Sequence, residues 1–230
     1  MFKKQSLFLV VLIALAVVLG SCSFTPGQMD APPVSDDTTG GGGEEVVDEE
    51  VEPTATPTEL TQKGIVAIIN LWYDWSGENE AVLNDVLAKF KEEYPNVIIN
   101  TTYVPDSELK EKFEKDSRTP YLIIGPPDWA KEWMDIYFIQ DLSLMAEAET
   151  GWMDTWTEEA LATSTVDGAL LTTPINAGMA GVDKPSVFYL PDAANYQNKT
   201  AAWEMMMFFT RPEIQEMLVA AGQKTILKGS

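Results

Sequence analysis

Residues 65–77, with the sequence IVAIINLWYDWSG, decide the fold of this 230-residue chain. The first seven are apolar apart from Asn70 and mostly β-branched, which predicts a strand buried on both faces of a sheet. A helical pattern begins directly after Gly77, with an apolar stripe between charged positions. The folded part of the chain is therefore expected to begin with a strand, a short connection and a helix.

The end of this first strand predicts a ligand site. Trp72, Asp74, Trp75 and Ser76 follow the apolar run, and ligands of open α/β sheets bind at the carboxyl ends of the strands. The indole rings, the carboxylate and the hydroxyl group are candidate ligand contacts. A second interpretation is that Trp72 and Trp75 only cover the edge of the sheet, and the strand by itself favours neither interpretation.

The following elements continue the same alternation. Apolar residues at helical spacing run from Leu83 to Tyr94, and residues 97–103, VIINTTY, predict a second strand. Such a short strand–helix–strand unit predicts a right-handed crossover between parallel strands. Residues 106–116 predict a short charged helix, and residues 121–125, YLIIG, predict a third buried strand.

The third strand ends much as the first one does. Its apolar residues are followed by Pro126, Pro127, Asp128 and Trp129, and then by a new helical pattern. If the two strands are parallel neighbours, their carboxyl ends face the same crevice. This repetition favours the ligand-site interpretation and adds Asp128 and Trp129 to the candidate contacts.

The C-terminal half predicts two more strands and two helices. Residues 168–175, GALLTTPI, and residues 186–190, SVFYL, predict strands on either side of a turn or hinge rich in small residues. A helix is expected over residues 198–209, and a second helix is expected to end at Gly222.

Two helix caps and several core residues are also predicted. Ser76 precedes the first helix as a possible cap, and Thr210 with Glu213 matches a capping box. Large apolar side chains at helical spacing are more typical of packing than of binding, which applies to Trp133, Trp152 and Trp156. The consecutive residues Met205-Met206-Met207 point in different directions on a helix, so they are expected to fill the core and not to share a metal ion.

The N-terminal segment predicts export and lipidation. Lys3 and Lys4 precede an apolar stretch over residues 7–19, followed by Leu-Gly-Ser-Cys, which resembles the bacterial lipoprotein box. Residues 1–22 are therefore expected to be a signal peptide that ends in a lipidated Cys22, the only cysteine of the chain. The alternative, an uncleaved membrane anchor, is disfavoured because the apolar stretch is short for a spanning helix.

Charge and composition separate a tether from a folded part. Ten acidic and no basic residues lie within residues 23–62, so about half of the net charge of −21 comes from this segment. Residues 23–63 are expected to be a disordered acidic tether, and residues 64–230 a single α/β domain. The acidic balance argues against a nucleic-acid partner. The chain has no histidine, and no cofactor or metal site is predicted.

Several of these segments, in this order, resemble a known family. The lipoprotein box and acidic tether, then LWYDWSGENEAVLNDVLAKFKEEYPNVIINTTYV, PPDWA, GALLTTPI and AAWEMMMFFTRPEIQEMLVAAG, are similar to the extracellular solute-binding proteins of bacterial carbohydrate ABC importers, the maltose-binding-like group. The resemblance covers nearly all of the folded part. It implies a periplasmic-binding-protein-like (type II) lobe, with a mixed, mostly parallel sheet flanked by helices.

The resemblance also implies a function and a departure from the family. Its members have two lobes around a cleft that closes on a sugar, whereas here only residues 176–185 separate the segments at which the family chain leaves and re-enters the first lobe. A reduced, one-lobe form is therefore expected. Asp74 with Trp75 and Asp128 with Trp129 match family positions at strand ends. The implied partners are a sugar or oligosaccharide and the membrane subunits of an importer, at the outer face of the cytoplasmic membrane.

Two alternatives remain open from the sequence. The lone lobe could be a surface interaction lipoprotein that has lost ligand binding, because a second wall of the cleft is missing. It could also be a glycosidase that uses Asp74 and Asp128, since paired carboxylates perform that chemistry. Carboxylates beside tryptophan are equally typical of a sugar-binding site, and no other catalytic constellation is present, so the binding interpretation is preferred.

Overall fold

A five-stranded sheet with the order β2-β1-β3-β7-β6 forms the centre of the fold. The structure is a computed structural model that describes residues 64–179 and 184–229, and the predictions for Cys22, the signal peptide and the tether lie outside the described residues. The strands of the sheet are β1 (Ala67–Tyr73), β2 (Val97–Tyr103), β3 (Leu122–Gly125), β6 (Thr173–Asn176) and β7 (Ser186–Tyr189). A separate two-stranded hairpin is formed by β4 (Thr165–Val166) and β5 (Ala169–Leu170).

The sheet is mixed and mainly parallel, as predicted. Strands β2, β1 and β3 are parallel neighbours, with Leu71 beside Leu122 in the register of β1 and β3. Strand β7 runs antiparallel to both β3 and β6, so it is the one strand of this sheet that points the opposite way. The predicted strand SVFYL is therefore confirmed as a member of the sheet, and it runs antiparallel to both of its neighbours.

Helices cover both faces of the sheet. They are α1 (Glu78–Glu93), α2 (Asp106–Lys115), α3 (Ala130–Asp135), α4 (Ser143–Ala148), α5 (Glu158–Ser164), α6 (Tyr196–Phe209) and α7 (Pro212–Ala220). The larger apolar cluster joins alternate residues of β1, such as Ile69 and Leu71, to α1, α6 and α7. The smaller cluster joins Trp72 and Ile123 to α2 and α3. In the described part of the chain, no helix is long and apolar enough to cross a membrane.

Strand β1 differs from the prediction in its burial. It begins at Ala67, two residues later than expected, and Ile68 on one face is 43% exposed. On that face the apolar cluster includes only Trp72 from β1, so the first half of the strand is left uncovered. The predicted burial on both faces holds only near the carboxyl end of the strand.

The predicted strand over residues 168–175 forms two separate strands, β5 and β6, and its first residue belongs to a turn that the prediction missed. Asp167 and Gly168 both have positive φ, 52° and 88°, and form a two-residue connection between β4 and β5. An Asp-Gly pair is a favoured hairpin turn because both central positions need positive φ. Only the last part of the predicted segment, β6, joins the central sheet.

Neither predicted helix cap forms. Helix α1 begins one residue later than Ser76 would require, and Gly77 occupies its cap position with φ of 60°. The cap position of α7 is Arg211, because the Thr210 hydroxyl is engaged elsewhere. Its Oγ1 accepts a hydrogen bond from Trp152 Nε1 at 2.7 Å and donates one to the Met207 carbonyl at 2.8 Å.

Candidate functional site

The carboxyl ends of β1 and β3 lie next to each other and border two adjoining cavities. The first has a volume of about 260 Å³, and its lining includes Asp74, Trp75, Ser76, Asp106 and Lys184; we call it the Asp74 cavity. The second, of about 450 Å³, is lined by Asp128 and other residues and shares Pro126, Lys184 and Pro185 with the first; we call it the Asp128 cavity. A wider groove of about 740 Å³ runs along α7, but none of the strand-end residues lines it.

Asp74 is a partly buried carboxyl group at this edge of the sheet. Its Oδ1 has no hydrogen-bond partner among the described residues. The pKa of the Asp74 carboxyl is raised to about 6, first by burial and then by the negative charge of Asp106. A backbone hydrogen bond and the positive charge of Lys184 lower this pKa by smaller amounts. A buried polar oxygen without a partner is unusual in a folded protein and calls for an explanation.

Ser76 and Asn79 also line the Asp74 cavity. Ser76 is exposed at the rim, and Gly77 then turns the chain into α1 with positive φ, which glycine adopts without strain. Asn79 lies in the first turn of α1, where its Oδ1 accepts a hydrogen bond from Gln223 Nε2 at 3.0 Å. This bond fixes the orientation of the Asn79 amide at the wall of the cavity.

Trp75 lies in the wall of the cavity rather than at its opening. Only 2% of the residue is exposed, and its Nε1 donates a hydrogen bond to Ser186 Oγ at 3.0 Å. Because the ring is packed in the larger apolar cluster, protein atoms cover its faces in this conformation. Trp75 therefore positions the start of β7 against the end of β1.

A buried polar network continues from Ser186 behind the cavity. Asn176 Oδ1 accepts hydrogen bonds from the backbone N–H groups of Gly178 and Ser186, both at 3.1 Å. The Asn176 Nδ2 group donates to Gln223 Oε1 at 2.8 Å, and Gln223 in turn donates to Asn79. The network joins the end of β6, the start of β7 and the first turn of α1.

Trp72 is not brought to the site with the other predicted residues. It is 3% exposed, belongs to the smaller apolar cluster and lines neither cavity. The ammonium group of Lys112 lies 4.7 Å from the centroid of its ring, which is the geometry of a cation–π contact. Its observed surroundings are those of a packing residue between the sheet and α2.

Asp128 and Trp129 occupy different environments although they are neighbours in the chain. Asp128 is exposed and lines the Asp128 cavity. Trp129 packs inward, with its ring centroid 5.0 Å from that of Trp133 and 6.4 Å from that of Tyr189. Its ring crosses Gly125 so closely that a Cβ atom there would lie 2.7 Å from Trp129 Cζ3.

Besides Asn79 and Ser186, the sequence analysis missed four further residues of this region: Asp106, Asn176, Lys184 and Gln223. Asp106 opens α2 just after β2, the third parallel strand, so the rule that selected Asp74 and Asp128 also applies to it. The other three are brought in by contacts distant in sequence, such as the bond between Gln223 and Asn79, 144 residues apart. Within the described ranges, no group of three or more acidic side chains is arranged to hold a metal ion.

The arrangement offers hydrogen-bonding groups of several kinds around a small concave space. Carboxylates of Asp74 and Asp106 accept hydrogen bonds, Lys184 donates them, and the Ser76 hydroxyl does both. A few convergent polar groups in a concave site are typical of small-molecule sites in proteins. The Asp74 cavity suits a polyhydroxylated ligand better than an apolar one.

Solved structures that share this fold include proteins bound to, or named for binding, maltose, maltodextrin and cycloalternan. Maltose-bound MalE3 of T. maritima aligns with a TM-score of 0.61 at 10% identity, covering 71% of this chain and 82% of that one. The unliganded maltodextrin-binding protein MalE1 of L. casei BL23 aligns at 0.60 and 12% identity, covering 72% and 80%. The ABC substrate-binding protein Lmo0181 of Listeria monocytogenes, in complex with cycloalternan, aligns at 0.60 and 8% identity, covering 71% and 81%.

No protein-family model and no curated protein matches the chain at a significant level. The likeness to the solved structures is therefore one of fold, at sequence identities of 8% to 12%. It agrees with the resemblance noted in the sequence, which rests on different observations. The chain therefore shares the type II periplasmic-binding-protein-like fold of the maltose- and maltodextrin-binding proteins.

Proposed function

We propose that the protein is a carbohydrate-binding solute-binding protein that holds its ligand at the Asp74 cavity. The observation that carries the proposal is the partly buried carboxyl of Asp74, at the end of the first strand, with one oxygen left without a described protein partner. The location is where ligands bind in open α/β sheets. The fold, whose solved examples named above bind sugars, supports the same assignment.

The chemistry of the cavity fits sugar hydroxyl groups. An ionised Asp74 accepts hydrogen bonds from hydroxyl groups, and charge-assisted hydrogen bonds are among the stronger ones. Ser76 and Lys184 line the same cavity and offer groups that bind further ring oxygens or hydroxyl groups. Trp75 supports this wall from behind through Ser186. Stacking of a sugar on Trp75 would require its ring to leave its present packing.

The one-lobe form is part of the proposal. Strands β6 and β7 are antiparallel neighbours joined by residues 177–185, the segment that the resemblance identifies with the exit and return of the chain in two-lobed relatives. A cavity of about 260 Å³ lies just below the range usual for small-molecule sites. We therefore expect the lobe to bind sugar weakly when no other wall closes over it.

The cellular role follows from the N-terminal sequence. We propose that Cys22 is lipidated after removal of the signal peptide, and that residues 23–63 tether the domain to the outer face of the cytoplasmic membrane. From that position the domain would deliver its sugar to the membrane subunits of an ABC importer. The lipoprotein box and the acidic composition of the tether support this part of the proposal.

A surface interaction protein is the second candidate function. It is favoured by the burial of Trp72 and Trp75, because two of the predicted stacking surfaces are covered in this conformation. We do not extend the proposal to glycoside hydrolysis, since Asp74 and Asp128, the two carboxylates suggested for it, line different cavities.

The test is calorimetric titration of the chain carrying Cys22→Ser, which blocks lipidation, with a panel of mono- and oligosaccharides. The expected result is saturable binding that Asp74→Asn weakens about tenfold or more, as loss of a charge-assisted hydrogen bond predicts. Asp85→Asn is the matched control, because Asp85 is an exposed carboxylate on the surface of α1. A cooperatively folded protein that binds none of the sugars at high concentration would favour the interaction protein instead.

A further inference from the structure

A further cavity lies beside the start of α7. It has a volume of about 530 Å³, and its lining includes Trp152, Glu204, Met207, Arg211 and Lys228; we call it the Glu204 cavity. This volume is about twice that of the Asp74 cavity and lies within the range usual for small-molecule sites. The Glu204 cavity shares no lining residue with either cavity at the strand ends.

Helix α1 separates this cavity from the Asp74 cavity. Asn79, in the first turn of the helix, lines the Asp74 cavity. Just after the last turn, Tyr94 Oη donates a hydrogen bond to Glu204 Oε2 at 2.9 Å. The 16 residues of α1 span about 24 Å at ~1.5 Å per residue, and the helix leads from the carboxyl end of β1 to the amino end of β2. The two cavities are therefore distinct sites near opposite ends of the parallel strands.

Trp152 gives the Glu204 cavity an aromatic wall of fixed orientation. Its ring packs edge to face against Trp156 and Trp203, with centroid distances of 4.7 and 5.0 Å, and its Nε1 donates to Thr210 Oγ1 at 2.7 Å. Trp156 and Trp203 are buried, whereas Trp152 is only partly buried. The predicted packing role is therefore half of what the structure gives this residue: it packs against the larger apolar cluster and also lines the cavity.

Charged groups of both signs line the same cavity. Glu204 is partly buried, and burial is the first cause that raises the pKa of its carboxyl group. Its Oε2 is bonded to Tyr94, and its Oε1 has no hydrogen-bond partner among the described residues. Lys228 Nζ donates to a backbone carbonyl at 2.9 Å, and Arg211 is held by the carboxylate of Glu93. An acceptor and two donors are thus held in place around one concave space.

We propose that the Glu204 cavity is a second sugar-binding site, at which a neutral sugar ring packs on Trp152 and its hydroxyl groups bond to Glu204 and Lys228. The mixed charges indicate a neutral ligand: an anion would meet the Glu204 carboxylate, and a cation would meet Lys228 and Arg211. A hydroxyl group suits both kinds of partner because it donates and accepts hydrogen bonds.

The apolar part of the lining supports the same ligand class. A sugar ring has a face of C–H groups, which can pack on an indole ring and on neighbouring apolar side chains, while its hydroxyl groups point outward. Sites of this kind combine a mainly apolar wall with a few placed polar groups. The apolar side chains that line the cavity beside Trp152 are Met207, Pro212 and Leu227.

The test is NMR of the tryptophan indole N–H groups in the chain carrying Cys22→Ser, titrated with the panel of neutral mono- and oligosaccharides. The Trp152 signal, identified by its absence from Trp152→Phe, should shift saturably with a sugar. Trp75 lines the Asp74 cavity and reports on that site separately, while the fully buried Trp133 in the smaller apolar cluster should not respond. L-Phenylalanine is the zwitterionic probe. A Trp152 signal that no sugar shifts, or that only L-phenylalanine shifts, overturns the proposal.

Two variants test the polar contacts of the Glu204 cavity. Glu204→Gln keeps an acceptor for the Tyr94 hydroxyl group and removes the charge, and Lys228→Gln changes an exposed residue. Each should weaken the sugar response of Trp152 about tenfold. Glu92→Gln, at an exposed position of α1, is the matched control and should leave the response unchanged. A response of equal affinity in the parent and in both cavity variants overturns the proposal.

Asp74→Asn separates this inference from the proposed function, on which it does not rest. This variant should weaken the response of Trp75 and leave that of Trp152 unchanged. If Asp74→Asn abolishes both responses, there is one site and the second site is refuted. A Trp152 response in a parent whose Trp75 signal never moves would support the Glu204 cavity and contradict binding at the Asp74 cavity.

Discussion

The Asp74 carboxyl should make the protein less stable at neutral pH than a variant without that charge. Its pKa is raised from an ordinary value of 3.8 to about 6 in the folded state, first by burial and then by Asp106. The folded protein therefore holds this proton more tightly than the unfolded chain does. The resulting stability is fully present below about pH 4 and is lost as the pH rises through about 6.

The size of the effect follows from the two pKa values. A difference of about two pH units corresponds to about 3 kcal/mol of unfolding free energy, and the remaining contact of the side chain with solvent reduces this to about 2 kcal/mol. Asp74→Asn keeps the shape of the side chain and removes the charge. We expect the variant to match the parent near pH 4 and to be about 2 kcal/mol more stable above pH 7.

The assay is urea unfolding of parent and variants across this pH range, with Asp85→Asn as the exposed-carboxylate control. The difference between parent and Asp74→Asn should grow through about pH 4 to 6 and then level off, whereas Asp85→Asn should show no such increase. Asp106→Asn should give a smaller gain in the same direction, because Asp106 is the second cause of the shift. If Asp74→Asn is less stable than the parent at neutral pH, or if its difference does not change with pH, the reasoning is refuted.

Three further predictions concern packing and polar contacts, each measured by urea unfolding. Gly125→Ala should destabilise the protein by about 2 kcal/mol, because the new methyl group meets the Trp129 ring. In a protein that carries Trp129→Leu, the same substitution should cost much less. An equal cost with tryptophan and with leucine at position 129 would contradict this explanation. Asn176→Ala should lower the free energy of unfolding by about 3 kcal/mol, since it leaves the buried hydrogen-bonding groups of Gly178, Ser186 and Gln223 without their partner. A loss below about 1 kcal/mol would show that these groups find other partners. Arg211→Met should lower the free energy of unfolding by about 1 kcal/mol, because Arg211 Nη1 donates to both carboxylate oxygens of Glu93 at 3.0 and 2.9 Å. The loss should be smaller in high salt, and a loss that is independent of salt would argue against an ionic origin.

The order of strands and helices could be predicted because each apolar run and each helical stripe is bounded by polar or turn residues. Strand β2 was placed with its observed bounds, and the neighbouring parallel ends of β1 and β3 followed from the strand–helix–strand pattern. The hairpin turn at Asp167 and Gly168 was missed because apolar residues flank it on both sides. Its Asp-Gly pair was the available signal.

The candidate site was predictable only in part. The rule of strand ends placed Asp74, Ser76 and Asp128 at the two cavities. It did not separate Trp72 from Trp75, although side chains of a strand alternate between its faces and residues three apart point to opposite sides. That period places Trp72 under α2 and Trp75 against the start of β7.

The remaining site residues depend on long-range contacts. Asn176, Lys184 and Gln223 reach the region from the hinge and from the end of α7, and nothing in their local sequence indicates this. A single sequence shows local periodicity well, whereas a hydrogen bond between side chains 144 residues apart depends on the completed fold.

The Asn176 side chain connects the two ends of the segment between β6 and β7, and this affects which segments can be inserted there. One amide oxygen holds the N–H groups of Gly178 and Ser186 together, so the points where the chain departs from the sheet and rejoins it are fixed a few ångströms apart by the domain itself. Whatever is spliced between them has only to bring its own two ends close together. Doubling the length of a flexible loop costs only about 0.6 kcal/mol, so large segments can be inserted or deleted here over evolution while the sheet keeps its register.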